Sequence, residues 1–484
     1  MPQYKWIALS VTTVGTLMSG IDVKMVVIGL PTIARQLGAD AEAIIWVYQA
    51  YVFASTIGLL LVGRMSDLFG RVKMYNIGFV IFTIGSAFGS ISLSAPELIV
   101  ARIVQGTGAS LILANSAAIL TDASPPSELG FILGTNQIAF RSGSIFGLTL
   151  AGVIISIASW RALFYINIPI GIFGTIWAYR MLKDTSIKDT SKRIDWLGFV
   201  TFTPGLTLLL LAVTYLGYNA DFLPEALVMV ASGLVFFAIF AKVESRSSSP
   251  LLDLRLLSIR EFAGGSIARM LNAIAWEGTI VILVFYLQTV SHESPLQAGI
   301  ALIPIEVAYL AFGPISGRLS DRYNQKLFVT LGLATSSVGF FMFAFPQSLS
   351  SFSLFLIASL LMGAGNGLFV SPNLSSVMGS VPQNRRGVAS GFQRTLFNTG
   401  LTTGPGIAVM LVSLGMPFGA FTLLVQGTAP NVALATLQFI NSAKIAIGIL
   451  ACVNVLALVP VLFGSKTEMQ QQQEIVPKLG DSKQ

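Results

Sequence analysis

The sequence lacks the residues that several kinds of chemistry require. Its 484 residues include one cysteine, Cys452, and one histidine, His292. These two side chains cannot form a disulfide within the chain, a Cys/His metal site or a thiol-imidazole nucleophile pair. The chain also has no G-x-x-x-x-G-K-[ST] loop for nucleotide phosphates. We therefore expect no metal, no cofactor, no ATP site and no enzymatic activity.

Charged residues are scarce as well. They make up 11% of the chain, whereas 54% of the residues are apolar and 46 are glycine. A soluble domain carries about 25% charged residues. This composition is typical of an all-α protein that crosses a membrane many times, and it predicts the lipid bilayer as a partner and no nucleic acid.

Apolar runs of 18 residues or more predict fourteen transmembrane helices, because about 20 apolar residues span a bilayer. The first run contains Asp22 and is too long for a signal-peptide core, so we interpret it as a retained span. The predicted spans lie near residues 6–30, 44–63, 74–92, 97–120, 131–157, 162–182, 196–217, 224–242, 261–289, 296–317, 327–346, 352–376, 387–413 and 443–464.

The basic residues indicate an orientation. Most of the 29 lysines and arginines fall on one side when both termini lie on that side, and cytoplasmic loops carry the excess of such residues. We therefore expect a multi-pass protein of the cell membrane with both termini in the cytoplasm.

The chain contains an internal repeat. The sequence GRMSD at 63–67 matches GRLSD at 317–321, and each follows the second span of its half. A second match is a set of four glycines: Gly130, Gly134, Gly143 and Gly147 recur as Gly387, Gly391, Gly400 and Gly404. Repeats of this kind occur in transporters whose two halves rock around a site near the bilayer midplane.

The repeat predicts two six-helix bundles with two helices inserted between them. The expected units are an N-terminal bundle, an inserted pair with its linkers, a C-terminal bundle and a cytoplasmic tail, at residues 1–182, 183–260, 261–464 and 465–484.

The chain contains four further motifs, which are GRMSDLFGRVK at 63–73, LIVARIVQGTG at 98–108, GIDVKMVVIGLP at 20–31, and the pairing of WR at 160–161 with INIP at 166–169. These motifs resemble those of the major facilitator superfamily, in its fourteen-helix drug/proton antiporter branch. Lys24 departs from the pattern, which leads one to expect a small polar residue there. The resemblance implies a secondary transporter with a conformational latch in the cytoplasmic loops, formed by Gly63, Asp67, Gly70, Arg71, Gly317 and Asp321.

Ionisable residues within the spans are the candidate site. A charge at the bilayer centre costs about 2.5–3.5 kcal/mol on insertion scales, so such residues usually have a partner or a task. Asp22 and Arg102 should lie at similar depth, and we expect them to pair and to couple transport to protons; the alternative is a static structural ion pair. Glu277 lies 255 residues after Asp22, which suggests a related position beside the central cavity and makes it a further candidate for proton coupling. Glu306 should meet Arg141 where the two halves join, either as a structural salt bridge or with a direct role in proton coupling or substrate binding.

Further residues are candidates for binding the substrate. Glu277 and Trp276 offer a carboxylate and an aromatic face to a cationic or polar compound, whereas the surplus of buried bases would suit an anion. The candidate substrate-binding residues are Lys24, Arg141, Arg269, Asn272, Trp276, Glu277 and Arg394.

The predicted function is proton-coupled export of small amphipathic, drug-like compounds by alternating access, carried out by a monomer. One alternative is an organic-anion or metabolite carrier of the same fold. The other is a membrane receptor or lipid-handling scaffold that does not transport.

Overall fold

The structure is a computed structural model that describes residues 4–125, 128–183, 195–218, 222–247, 250–345, 351–382 and 385–464. The expected tail at 465–484 lies outside the described residues. Within the described residues, fourteen helices are long and apolar enough to cross a membrane, which confirms the predicted fold class.

Two of the predicted spans are each built from two helices. The sixth is divided at Ile166, and the last is divided at Ala457. A π-helical turn, Tyr286–Val290, continues α10. The helices are α1 Tyr4–Leu37, α2 Ala41–Phe69, α3 Arg71–Ile91, α4 Ala95–Ala123, α5 Leu129–Ile157, α6 Ala162–Tyr165, α7 Asn167–Met181, α8 Trp196–Tyr218, α9 Leu223–Arg246, α10 Arg260–Phe285, α11 Pro295–Arg322, α12 Gln325–Phe343, α13 Phe352–Gly379, α14 Arg386–Ser413, α15 Phe418–Gln426, α16 Val432–Leu456 and α17 Leu458–Gly464.

The last span begins earlier than hydropathy predicts. Helix α16 starts at Val432, eleven residues before the expected start at 443. The polar residues Gln438, Asn441 and Ser442 lower the hydropathy of this segment. The helix begins there because the side chain of Asn431 accepts a hydrogen bond from the backbone N–H of Leu434, which caps the first turn.

Short polar signals set the other helix boundaries. Asp40 caps α2 through Ala43 N–H, and Ser294 forms a reciprocal capping box with Gln297 at the start of α11. Gly70 ends α2 and begins α3 with φ at +98°, a conformation that is open to glycine and strained for other residues. This glycine therefore allows the tight turn between the two helices.

The repeat recurs in the packing of the helices. A β-carbon on Gly143 or Gly147 of α5 would lie 2.4 or 2.5 Å from a carbonyl oxygen of α1, so only glycine lets these two helices approach so closely. Gly400 and Gly404 of α14 stand in the same way against carbonyl oxygens of α10, at 2.5 and 2.7 Å. Each half therefore contains the same close crossing of its first and fifth spans.

The inserted helices α8 and α9 pack against each other through aromatic side chains. The ring of Phe202 lies 5.6 and 5.3 Å from those of Phe237 and Phe240. Helix α8 also packs against α14 and, less extensively, against α2. The buried carboxylate of Glu244 accepts hydrogen bonds from the backbone N–H groups of Leu251 and Leu252, which fixes the linker that follows α9.

The two halves touch at one end and separate at the other. We call the face where α1 begins and α17 ends the terminal face, and the opposite face the far face. Near the far face, a β-carbon on Gly152 of α5 would lie 2.2 Å from Leu296 Cα of α11. Near the terminal face, and among the described residues outside the glycine's own turn of helix, no atom lies within 4 Å of a β-carbon built on Gly134 of α5 or Gly313 of α11.

Hydrogen bonds between the halves follow the same asymmetry. Near the far face, Gln288 donates to the Ile28 carbonyl at 2.9 Å, and Gln426 donates to the Gly38 carbonyl at 3.1 Å. Between described residues, no hydrogen bond or ion pair joins the two halves on the terminal-face side of Arg141. The halves thus enclose a space open toward the terminal face, which we call the vestibule.

We predict that Gly147→Ala lowers the free energy of unfolding by about 1–3 kcal/mol, because its methyl group would overlap the Ile21 carbonyl oxygen. The overlap should outweigh the gain in helix propensity of about 1 kcal/mol. Gly134→Ala, on the same helix, is the control and should unfold at or slightly above the wild-type temperature. Thermal unfolding in one detergent measures both, and equal stability of the two variants would contradict the packing described.

Candidate functional site: two groups of buried charges

Asp22 lies in a polar network within the N-terminal half. Its carboxylate accepts hydrogen bonds from Arg102 at 2.7 Å and from Gln105 and Asn167 at 2.8 Å. Gln105 in turn donates to Ser86 at 2.9 Å. The network joins α1, α3, α4 and α7, and the predicted contact between Asp22 and Arg102 is present.

Arg102, like Asp22, makes several contacts within the N-terminal half. Its Nε donates to the Val47 carbonyl at 3.2 Å, and its guanidinium lies 4.1 Å from the ring centroid of Tyr51. Both Asp22 and Arg102 are 0% exposed. Burial at low dielectric strengthens each of these contacts and makes the loss of any partner costly.

The position of Asp22 differs from the sequence expectation. Asp22 was expected beside the central cavity, but its partners all belong to its own half. The physical reason is the rotation of 100° per residue in a helix, which turns Asp22 about 200° away from Lys24. Lys24, and not Asp22, faces the other half.

Lys24 forms a bridge between the halves. Its ammonium lies 3.3 Å from Glu277 Oε1 on α10 and 3.6 Å from Glu306 Oε1 on α11. The Glu306 carboxylate also receives Arg141 of α5 at 3.5 Å. Lys24 and Arg141 of the N-terminal half thus meet Glu277 and Glu306 of the C-terminal half, and we call these four residues the interhalf cluster.

The helix packing also shows that Glu277 is not the symmetry counterpart of Asp22, as the sequence had suggested. Gly143 stands against Leu17 and its counterpart Gly400 stands against Met270, so α1 and α10 correspond with a shift of 253 residues. With this shift Lys24, and not Asp22, is the counterpart of Glu277. Two symmetry-related positions of opposite charge therefore pair with each other across the interface.

The residue at the Arg102 position differs between the two halves, which explains why an acid is neutralised internally in the N-terminal half alone. Gly106 stands against the Tyr51 carbonyl as Gly363 stands against the Ile305 carbonyl, so α4 and α13 correspond with a shift of 257 residues. Ser359 then occupies the place of Arg102. The C-terminal half has no arginine at this place to neutralise an acid on its first helix.

Aromatic side chains lie beside the interhalf cluster. The guanidinium of Arg141 lies 3.9 Å from the ring centroid of Tyr309, within cation-π distance, and the ring of Trp276 lies 6.1 Å from that of Tyr309. The phenol of Tyr48, from the N-terminal half, is in electrostatic contact with Glu277. The cluster is thus bounded by rings from both halves.

Arg269 and Arg394 are placed differently from the other bases. Arg269 lies over Phe397 at 4.1 Å from the ring centroid, and its guanidinium reaches Asn272 Oδ1 at 3.5 Å. Both arginines are partly exposed. Among the described residues, no carboxylate lies within 4.0 Å of either guanidinium.

Asn272 occupies a structural position. It is 1% exposed and donates to Asn454 at 2.9 Å. Asn454 donates in turn to Ser336 and Ser337, both at 2.9 Å. Asn272 therefore links α10 to α12 and α16.

The predicted latch lies within the N-terminal half in this structure. Arg71 lies 3.7 Å from Asp67 and also pairs with Asp122 of α4. Gly63 is exposed and faces open space, and Gly317 would place a β-carbon 2.7 Å from the Ser371 hydroxyl. The side chain of Asp321 lies outside the described residues.

Sequence reasoning missed several residues of both groups. Gln105 and Asn167 lay inside recognised motifs, yet their bonds to Asp22 depend on which helices are neighbours. Tyr48, Tyr309 and Phe397 gave no signal, because aromatic residues on apolar helices usually contact lipid or core.

The family was established by comparison with known proteins. A model described as Major Facilitator Superfamily matches residues 12–246 and 265–471. The chain belongs to the major facilitator superfamily. It is therefore a multi-pass membrane transporter and not an enzyme, which disfavours the scaffold alternative.

Two curated relatives and one solved structure illustrate the likeness. The riboflavin transporter RibZ of Clostridioides difficile is 30% identical over 400 residues, which cover 83% of this chain and 86% of the relative. The multidrug resistance protein Stp of Mycobacterium tuberculosis is 28% identical over 408 residues, with 84% and 75% covered. A bacterial homolog of the human lysosomal transporter Spinster, solved in an inward-facing conformation, has a TM-score of 0.68 at 14% identity, with 96% and 97% covered.

We predict that Lys24→Met destabilises the protein by about 3–5 kcal/mol, because it leaves two buried carboxylates without their shared cation. Adding Glu277→Gln removes one of these charges and should restore part of the loss. The double-mutant cycle should give a coupling energy of about 0.5–3 kcal/mol, measured by denaturation in detergent. Strictly additive effects would show that the two residues do not interact.

Proposed function

We propose that this transporter exports small amphipathic, drug-like compounds by alternating access, in exchange for protons. The observation that supports the proposal most is the interhalf cluster, because it places ionisable groups where the two halves meet. The expected units 1–182 and 261–464 would be the rocking bodies. The pair within 183–260 would move with the C-terminal unit, since α8 packs mainly on α14.

The shape of the molecule is consistent with one end state of this cycle. The helices splay toward the terminal face and are packed together near the far face. We propose that both termini are cytoplasmic and that the protein works in the cell membrane, so this state would be open to the cytoplasm. An exporter loads its compound from that side.

The interhalf cluster offers a place for protons. Glu277 Oε2 and Glu306 Oε1 are buried without a hydrogen-bond partner among the described residues. Protonation of either carboxylate would remove a charge that attracts Lys24, and the attraction between the halves would weaken. Proton binding would in this way favour opening of the far face.

Asp22 and Arg102 would act within the N-terminal half. In our proposal, their network holds α1 and α4 together while Asp22 is charged, and a proton on Asp22 releases Arg102. The rotation of α1 would carry this change to Lys24, two residues further along the same helix.

The names of two relatives support a role in handling organic compounds. The multidrug resistance protein of M. tuberculosis suits the drug-export proposal, and the riboflavin transporter of C. difficile suits the alternative of a metabolite carrier. We propose a monomer as the working unit, because a complete pair of halves lies within one chain.

We predict that Asp22→Asn abolishes compound-driven proton movement while leaving proton-independent exchange measurable. Asparagine cannot carry the proton or pair ionically with Arg102. The assay uses reconstituted vesicles that contain a pH-sensitive dye and receive a panel of aromatic compounds of either charge. Glu225→Gln, which removes an exposed carboxylate at the start of α9, is the control and should behave as wild type.

Two results would contradict the proposal. One is full proton movement in Asp22→Asn, and the other is the absence of proton movement in the wild type with every compound of the panel. Because a lone buried Arg102 could unfold the variant, the double variant Asp22→Asn/Arg102→Gln removes both charges. It should fold and still fail to move protons.

A further inference from the structure

The charges around the vestibule do not cancel. The Asp22–Arg102 pair is neutral and enclosed in its own half. Glu277 and Glu306 are the acids of the interhalf cluster. Four bases lie within the membrane-spanning parts of the helices that meet there, namely Lys24, Arg141, Arg269 and Arg394. The cluster and its neighbours thus carry two more positive than negative charges.

Arginines of both halves converge on one tyrosine. Arg141 of α5 lies over the ring of Tyr309 at 3.9 Å. Arg269 of α10 interacts electrostatically with the same tyrosine and with Arg141. The guanidiniums of Arg141 and Arg269 therefore both lie near Tyr309. Glu306 contacts one of them, that of Arg141.

Arg394 belongs to the same surface. Residues three apart are neighbours on the surface of a helix, so Arg394 lies next to Phe397 on α14. The ring of Phe397 carries the guanidinium of Arg269. Arg394 is therefore about one helical turn from the ring that Arg269 covers.

The carboxylates of the cluster are already engaged. Lys24 contacts Glu277 and Glu306, and Arg141 contacts Glu306. A cationic compound would have to displace one of these internal cations. An anion would meet guanidiniums that have no carboxylate partner among the described residues.

From this arrangement we infer that the transported compound is an amphipathic anion with a flat aromatic part. Its acidic group, a carboxylate or phosphate, binds Arg269 and Arg394, because guanidinium is suited to bidentate contacts with such groups. Its aromatic part packs against Trp276, Tyr309 and Phe397. The inference rests on the proposed export function and names the charge class of its substrate.

The test compares two probes that differ in charge and share one ring system, 2-naphthoate and 2-naphthylmethylammonium. Binding is measured at equilibrium on the full-length protein in nanodiscs of zwitterionic lipid, without any gradient. Wild type should bind the anion at least tenfold more tightly than the cation. This comparison requires no variant, so a folding defect cannot obscure it.

Variants then locate the anion. Arg269→Gln and Arg394→Gln should each weaken 2-naphthoate binding by about tenfold or more, as expected for a lost hydrogen bond to a charged group. Arg269→Lys keeps the charge and should lose less. Arg180→Gln, which removes an exposed arginine at the end of α7, is the control and should bind as wild type.

The inference is overturned if wild type binds the cation as tightly as the anion, or if the Arg269→Gln/Arg394→Gln double variant binds 2-naphthoate unchanged. Proton movement in the vesicle assay is a separate readout. If some compound still moves protons in that assay, only the anion site fails. If 2-naphthoate binds through the arginines and no compound moves protons, the coupling fails and the anion site stands.

Discussion

The arrangement of the two halves depends on the ammonium of Lys24. Its side chain is 5% exposed, and the two carboxylates that it contacts are 6% and 2% exposed. Removing one partner of such a buried ion pair leaves an uncompensated charge, which is strongly destabilising. In the proposed exchange mechanism, a proton on Glu277 or Glu306 would therefore weaken the contact between the halves.

The duplicated halves have divided the electrostatic roles between them. The N-terminal half satisfies its acid internally, with Arg102 bonded to Asp22 and both enclosed. The C-terminal half has Ser359 at the Arg102 position, and its acid at 277 bonds across the interface instead. Close glycine crossings are retained in both halves. The two halves thus share the same backbone packing, although the related positions 24 and 277 carry opposite charges.

The number and the approximate bounds of the helices were predictable from the sequence, whereas the direction in which a side chain points from its helix was not. Fourteen apolar runs, a repeated loop motif and a repeated set of glycines indicated the fold, because span length and repeat spacing can be read directly from the sequence. The Asp22–Arg102 contact followed from depth along the membrane alone. The role of Lys24 did not follow, because Asp22 and Glu277 lie 255 residues apart, close to the offset of 254 residues in the loop repeat, whereas α1 and α10 correspond with 253. One or two residues of error turn a side chain by 100–200°. Asn431 likewise starts α16 by a local cap that hydropathy does not register.

The most direct test of the account is the distance between α5 and α14 at both faces, in wild type and in Lys24→Met. Spin labels at Phe131 and Val388 report on the terminal face, and labels at Ile157 and Leu414 report on the far face; these positions are exposed, and Cys452→Ser removes the native thiol. Losing Lys24 should lengthen the far-face distance and shorten the terminal-face distance in the same molecules. Unchanged distances, or two distances that move in the same direction, would contradict the role given to Lys24.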